Sequence, residues 1–283
     1  MRYILLTLIF SLSANGIILA GGGWTQPKKN GYLKLNQSMI LSNRYFAPDG
    51  NVIDITTIGL YTTSIYGEYG LTDRFTLIAY VPFFVRNTPN TVRFEPSGRE
   101  NPGDALNAFG DTDIQLQYGF LKTDTWVASA RLWFGIPFGT VGGGESGILQ
   151  TGDGEFNQML RMDLSRPLGN KLWTSAYVGY NNRTSDFSDE WRFGAELGIK
   201  FSDRVYLQTR VDIIQSTFNG TVSPAEGNSI FANNVEFVSP ALELGFQNKK
   251  GLGITVSAAG AFSARNILAA PNIGLGVFYK ING

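Results

Sequence analysis

Asp111 and Asp113 stand two residues apart in the run Gly110-Asp-Thr-Asp-Ile-Gln-Leu-Gln117. In an extended chain that spacing sets both carboxyl groups on one face, where two acids can bind a cation or share a proton. The same alternation puts Arg131, Arg161, Arg192 and Arg210 on the interior faces of their own segments, along with Asp163, Glu196, Asp212 and Glu243. Acids surrounded in this way are expected to satisfy the arginines. An interior of paired charges narrows a passage rather than giving it strong ion selectivity.

Composition removes the common catalytic groups. With His 0 and Cys 0 there is no Ser-His nucleophile, no thiolate, no disulfide and no Cys-ligated metal, so neither a catalytic residue nor a metal or cofactor site is expected. Gly139-Thr-Val-Gly-Gly-Gly-Glu-Ser-Gly147 is rich in glycine but lacks the Gly-Lys-Ser/Thr ending and following helix of a phosphate loop, so it reads as a flexible outer loop. The 23 basic and 23 acidic residues balance, without the basic footprint of a nucleic-acid partner.

The elements that would position these charges are strands. Glu190 to Ser202 places Trp191, Phe193, Ala195, Leu197, Ile199 and Phe201 on one side and Glu190, Arg192, Glu196 and Lys200 on the other. Similar dyads recur along most of the chain with no helix to cover them. Charged residues make up only 16% against about 25% in a soluble domain, and aromatic content is 13%. Together these predict an all-β fold, a closed antiparallel up-and-down transmembrane barrel with lipid outside and a polar lumen inside.

About twelve strands are predicted, over 31 to 43, 56 to 69, 74 to 86, 110 to 121, 125 to 138, 155 to 167, 171 to 182, 190 to 202, 204 to 216, 235 to 247, 251 to 263 and 272 to 281. Short turns such as Gly70-Leu-Thr-Asp-Arg74 alternate with long polar loops such as 87 to 109 and 139 to 154. That is the asymmetry of an outer-membrane barrel, and an even strand count sets both termini in the periplasm. Segment Thr88 to Gly103 reads either as a constriction folded into the lumen or as a cover left outside. Trp126, Trp133, Phe134, Trp173, Trp191, Phe278 and Tyr279 fall towards strand ends and are expected in interfacial girdles. Residues 1 to 20 read as a secretory signal peptide, with Arg2 ahead of an apolar run from Ile4 to Phe10. Residues 21 to 283 then form a single barrel domain in the outer membrane of a Gram-negative bacterium.

Tyr69-Gly-Leu-Thr-Asp-Arg-Phe-Thr-Leu77 running into Tyr80-Val-Pro-Phe83, followed by Gly110 to Gln117, resembles the transporter-like outer-membrane barrels of the meta-pathway phenol-degradation family. Phe201-Ser-Asp-Arg-Val-Tyr206 extends the likeness. The resemblance implies passage of small hydrophobic or aromatic compounds across the outer membrane, and it carries over no binding residues. Two functions follow. One is a monomeric channel for passive diffusion of a small-molecule solute, surrounded by outer-membrane lipid. The other is a structural or adhesive barrel with a closed lumen and partner-binding loops.

Overall fold

A strand that alternates apolar and polar side chains has two incompatible faces, and closing the sheet on itself separates them while leaving no unpaired edge. The computed structural model describes residues 22 to 221 and 231 to 283. The segment read as a signal peptide lies outside the described residues. The fold is all-β, a closed 12-strand antiparallel barrel.

Its staves are β1 (Gly31–Phe46), β2 (Val52–Gly70), β3 (Phe75–Pro89), β4 (Thr112–Lys122), β5 (Val127–Ile136), β6 (Asn157–Leu168), β7 (Leu172–Arg183), β8 (Glu190–Lys200), β9 (Val205–Ser216), β10 (Glu236–Gln247), β11 (Leu252–Ala259) and β12 (Asn272–Ile281). Each pairs with its neighbour in sequence, and β1 pairs with β12, from Gly31 opposite Ile281 to Ile40 opposite Asn272. That last ladder closes the cylinder. Short strands at one end (Leu106–Ala108 beside β3, Ile267–Leu268 beside β1 and Phe262–Arg265 beside β10) lengthen the wall beyond the staves.

Outward positions carry the apolar half of each dyad: Leu33, Leu35, Met39 and Leu41 on β1, Leu160, Met162 and Leu164 on β6, Leu275, Val277 and Tyr279 on β12, all exposed. Inward positions are polar and buried, as with Gln115 and Gln117 on β4 and Ser129 and Arg131 on β5. Such a belt is stable only where hydrocarbon replaces water.

Two breaks in the wall have a local cause. Proline supplies no ladder donor. Val211 lies opposite Pro240 on one side, while on the other β11 ends at Ala259 and the Gly260 N–H donates to the Pro240 carbonyl at 3.0 Å. At Pro82 the β2–β3 register shifts between Thr63 and Ile65, and the Gly110 N–H donates to the Pro82 carbonyl at 2.8 Å.

Trp126, Trp191 and Tyr279 face outward, as a girdle requires, but three other aromatics do not. Trp173 and Phe278 are 8% and 1% exposed inside the barrel, and Trp133 lines the lumen. The cause is cross-strand packing. Trp173 lies opposite Gly198, Tyr177 opposite Gly194, Tyr206 opposite Gly245 and Phe278 opposite Gly253, and each ring covers the space that a Cβ on that glycine would fill. Glycine at these positions lets a large ring lie flat on the wall instead of crossing the lumen.

Candidate functional site

The inward halves of the dyads converge on a cavity of about 450 Å³ in the middle of the barrel. Of the residues expected on the interior, Asp113, Arg131, Arg161, Asp163, Glu196, Arg210, Asp212 and Glu243 line it. Their charges are largely tied together. Asp163 receives Arg161 at 2.6 Å and Arg131 at 3.1 Å, the latter an ion pair whose N–H misses the hydrogen-bond direction. Arg210 reaches Asp212 at 2.6 Å, and Lys34 reaches Glu243 at 2.6 Å. The Arg161 guanidinium also lies over the Tyr177 ring, 3.5 Å from its centre.

Asp111 and Arg192 sit above this cavity, at the long-loop end. Asp111 accepts the N–H of Gly139 and of Asp153, both at 2.8 Å, so it clamps the two ends of a loop instead of joining Asp113 in a dyad. Arg192 binds Glu190 at 2.7 Å. Glu190 also meets Arg183 at 3.1 Å, and that guanidinium holds Asp153 and Glu155 at 2.7 Å each. Arg183 is therefore the hub of the upper layer.

The long-loop end is covered by interlocked loops. Leu149, Gln150, Thr151 and Glu155 are buried, Asn87 donates to the Gln150 carbonyl at 3.0 Å, and the Ser188 N–H donates to Asn233 at 3.0 Å. The glycine-rich stretch is pinned rather than free: Asp104 accepts the N–H groups of Glu145 and Ser146 at 3.1 and 3.0 Å and the Ser146 hydroxyl at 2.5 Å. Those hydrogen bonds, the Ser146 hydroxyl first, hold the Asp104 carboxyl down at about 2. Segment 88 to 103 stays outside the lumen, where Val92–Phe94 pairs with Arg99–Asn101 as a separate hairpin.

Asp153 behaves in the opposite way. Burial, resisted by Arg183 and reinforced by the facing carboxyl of Asp111, pushes it up from 3.8 to about 6. A folded-state value above the unfolded one stabilises docking fully below the unfolded value, and that contribution is lost as pH rises through about 6. Hydrogen-exchange protection of the Gly139 and Asp153 amides is expected to fall between about pH 4 and about pH 7, and to depend less on pH in Asp111→Asn. Flat protection in the unaltered protein would show that Asp153 does not take up a proton as pH falls through about 6.

The opposite end holds what the dyad pattern missed. Residues 22 to 30 precede β1 and turn into the barrel. The Gly22 carbonyl accepts from Gln117 at 3.1 Å and from Arg131, and the Gly23 N–H donates to Ser165 at 2.7 Å. The Gln26 N–H donates to Thr76 at 2.8 Å, and its side-chain amide donates to Glu68 at 2.7 Å. Trp24 packs against an aromatic layer of Tyr32, Trp173, Tyr206 and Phe278, in which Tyr32 and Phe278 stack with centres 5.3 Å apart. Gly22 is thus part of the cavity floor. The available signal was negative: ten residues without alternation ahead of the first strand.

An apolar outer wall, a charged and aromatic interior and unequal ends define the architecture of an outer-membrane β-barrel. Among solved structures the chain is similar to an outer membrane channel from Pseudomonas putida F1, at 12% identity and a TM-score of 0.59 over 93% of this chain and 100% of that one. It is also similar to the NanC porin (10%, TM-score 0.53, 88% and 100% covered) and to the KdgM porin in complex with disordered oligogalacturonate (8%, 0.51, 89% and 99%). At such identities the likeness is one of fold. No protein-family model matches the sequence, and no curated protein does.

Proposed function

We propose that the protein is an outer-membrane channel of a Gram-negative bacterium through which small solutes, aromatic ones included, diffuse passively. The observation that carries this reading is the cavity of about 450 Å³ enclosed by a wall whose outer face is apolar. Tyr32, Tyr66, Tyr80, Trp133, Tyr177 and Tyr206 line that cavity together with the charged groups. Rings and hydrogen-bonding groups side by side suit small aromatic compounds with polar substituents, the solute class implied by the resemblance to the phenol-degradation barrels. The architecture is shared with one structure named a channel and two named porins. A single barrel holds a whole cavity, which supports a channel that needs no second copy.

Liposome swelling tests this. Vesicles containing the purified protein are expected to swell in small aromatic alcohols and in small polar solutes faster than protein-free vesicles. Absence of any permeability, in the full protein and in a variant lacking residues 22 to 29, would leave the second reading. That reading, a closed structural or adhesive barrel, is favoured by the N-terminal segment in the lumen and the interlocked loops above it.

A further inference from the structure

We infer that the lumen prefers positively charged solutes, small organic ammonium ions with an aromatic ring in particular, and that Glu196 and Asp113 are the groups that meet the charge. The inference rests on the cavity being a solute site, the reading proposed above, and adds to it the sign of the solute.

The cavity wall carries four cationic side chains and five carboxylates. Lys34, Arg131, Arg161 and Arg210 are spent on Glu243, Asp163 and Asp212, because both Arg131 and Arg161 fall on the one carboxylate of Asp163. Among the described residues no cation lies within ion-pair distance of Glu196 or Asp113. Glu196 faces Arg210 directly across the β8–β9 ladder, yet that guanidinium is turned to Asp212 at 2.6 Å. Glu196 is held instead by the Trp173 indole and the Gln208 side chain, and Asp113 by the Trp133 indole, with the Arg192 charge acting on it from beyond ion-pair distance. The Trp173 Nε1–H donates to Glu196 at 2.8 Å, and the Trp133 side chain donates to Asp113.

An indole N–H orients a carboxylate without neutralising it, so both acids carry a desolvation cost that an entering cation relieves. Aromatic rings beside them add to the attraction, since the faces of Tyr and Trp attract ammonium groups. The Arg161 guanidinium already sits in this way over Tyr177. Tyr80, Trp133 and Tyr206 line the same cavity.

The approach from the long-loop end has the same sign. Asp153, Glu155 and Glu190 share two guanidinium groups there, Arg183 and Arg192, while Asp111 accepts backbone N–H groups. Carboxylate excess in the low-dielectric layer between the cavity and the covering loops favours cations over anions there. Pairing within the interior is thus incomplete, and the remainder is negative at both levels.

The test uses three probes of similar shape and different charge, 2-phenylethylammonium, 2-phenylethanol and phenylacetate, titrated calorimetrically into the refolded full chain in detergent. The ammonium ion is expected to bind at least about tenfold tighter than the alcohol, and phenylacetate weaker than either. Glu196→Gln keeps an acceptor for the Trp173 indole, and Asp113→Asn keeps one for Trp133. Each is expected to remove most of the preference while heat-modifiable gel migration stays that of a folded barrel. Reversal potentials of the unaltered protein in a KCl gradient are expected to be cation-selective. Charge-blind binding, a preference for phenylacetate, or an unchanged preference in both folded variants overturns the inference. Permeation with charge-blind binding leaves the channel reading standing and removes this one, whereas ammonium-selective binding without any permeation does the reverse.

Discussion

Replacing Arg183 with methionine is expected to destabilise the barrel by about 3–5 kcal/mol, the range for removing one partner of a buried charge cluster. The guanidinium is 5% exposed and serves three carboxylates at 2.7, 2.7 and 3.1 Å, of which Glu155 is 0% and Glu190 4% exposed. Methionine fills similar space but leaves those acids facing one another with only Arg192 beside Glu190. Lysine in the same place brings one point charge without the fork that reaches three acceptors in a plane, and is expected to recover only part of the loss. Urea unfolding of the refolded protein, followed by Trp fluorescence and gel migration, measures the change. Combining Arg183→Met with Glu155→Gln is expected to regain stability relative to Arg183→Met alone, since one uncompensated charge is removed. A loss below about 1 kcal/mol, the value typical of exposed pairs, would mean that water reaches the cluster.

Deleting residues 22 to 29 is expected to give the largest functional change, a stable single-channel step well above any seen in the full protein. The segment forms the floor below Arg131 and Asp163, and its hydrogen bonds to Gln117, Thr76, Ser165 and Glu68 anchor it from four separate strands. Each such bond is worth about 0.5–1.5 kcal/mol net, and Trp24 adds its burial on the aromatic layer. Spontaneous release is therefore rare in the unaltered protein. The double variant Trp24→Ala with Gln26→Ala, which weakens both anchors, is expected to open intermittently. Identical conductance in all three proteins would mean that the passage does not run past this segment.

Much of the interior was legible from alternation alone, since which side of a strand a residue occupies is settled by its parity. Eight of the ten expected interior residues line one cavity for that reason. Parity says nothing of height along the barrel, and so Asp111 and Arg192 stand above the cavity among loops, where Asp111 binds backbone amides. Proximity to a strand end does not put an aromatic ring in lipid. Trp173 and Phe278 lie near strand ends but on the inward parity, opposite glycines of the next strand.

The amino-acid sequence by itself determined a closed, twelve-stave cylinder with an apolar outside, because side-chain direction in a strand is a local property with a period of two residues. It also set the strand limits closely, with β1 predicted over 31 to 43 and found over Gly31–Phe46. Tertiary structure alone decided which charges neutralise one another, which rings lie flat against the wall, and that an unpatterned N-terminal stretch becomes the floor. Those outcomes depend on register between strands and on segments far apart in the chain, as when Gly22 meets Arg131 or Arg183 gathers Asp153, Glu155 and Glu190. Distances across a barrel are set by closure, and closure exists only once all the strands have paired.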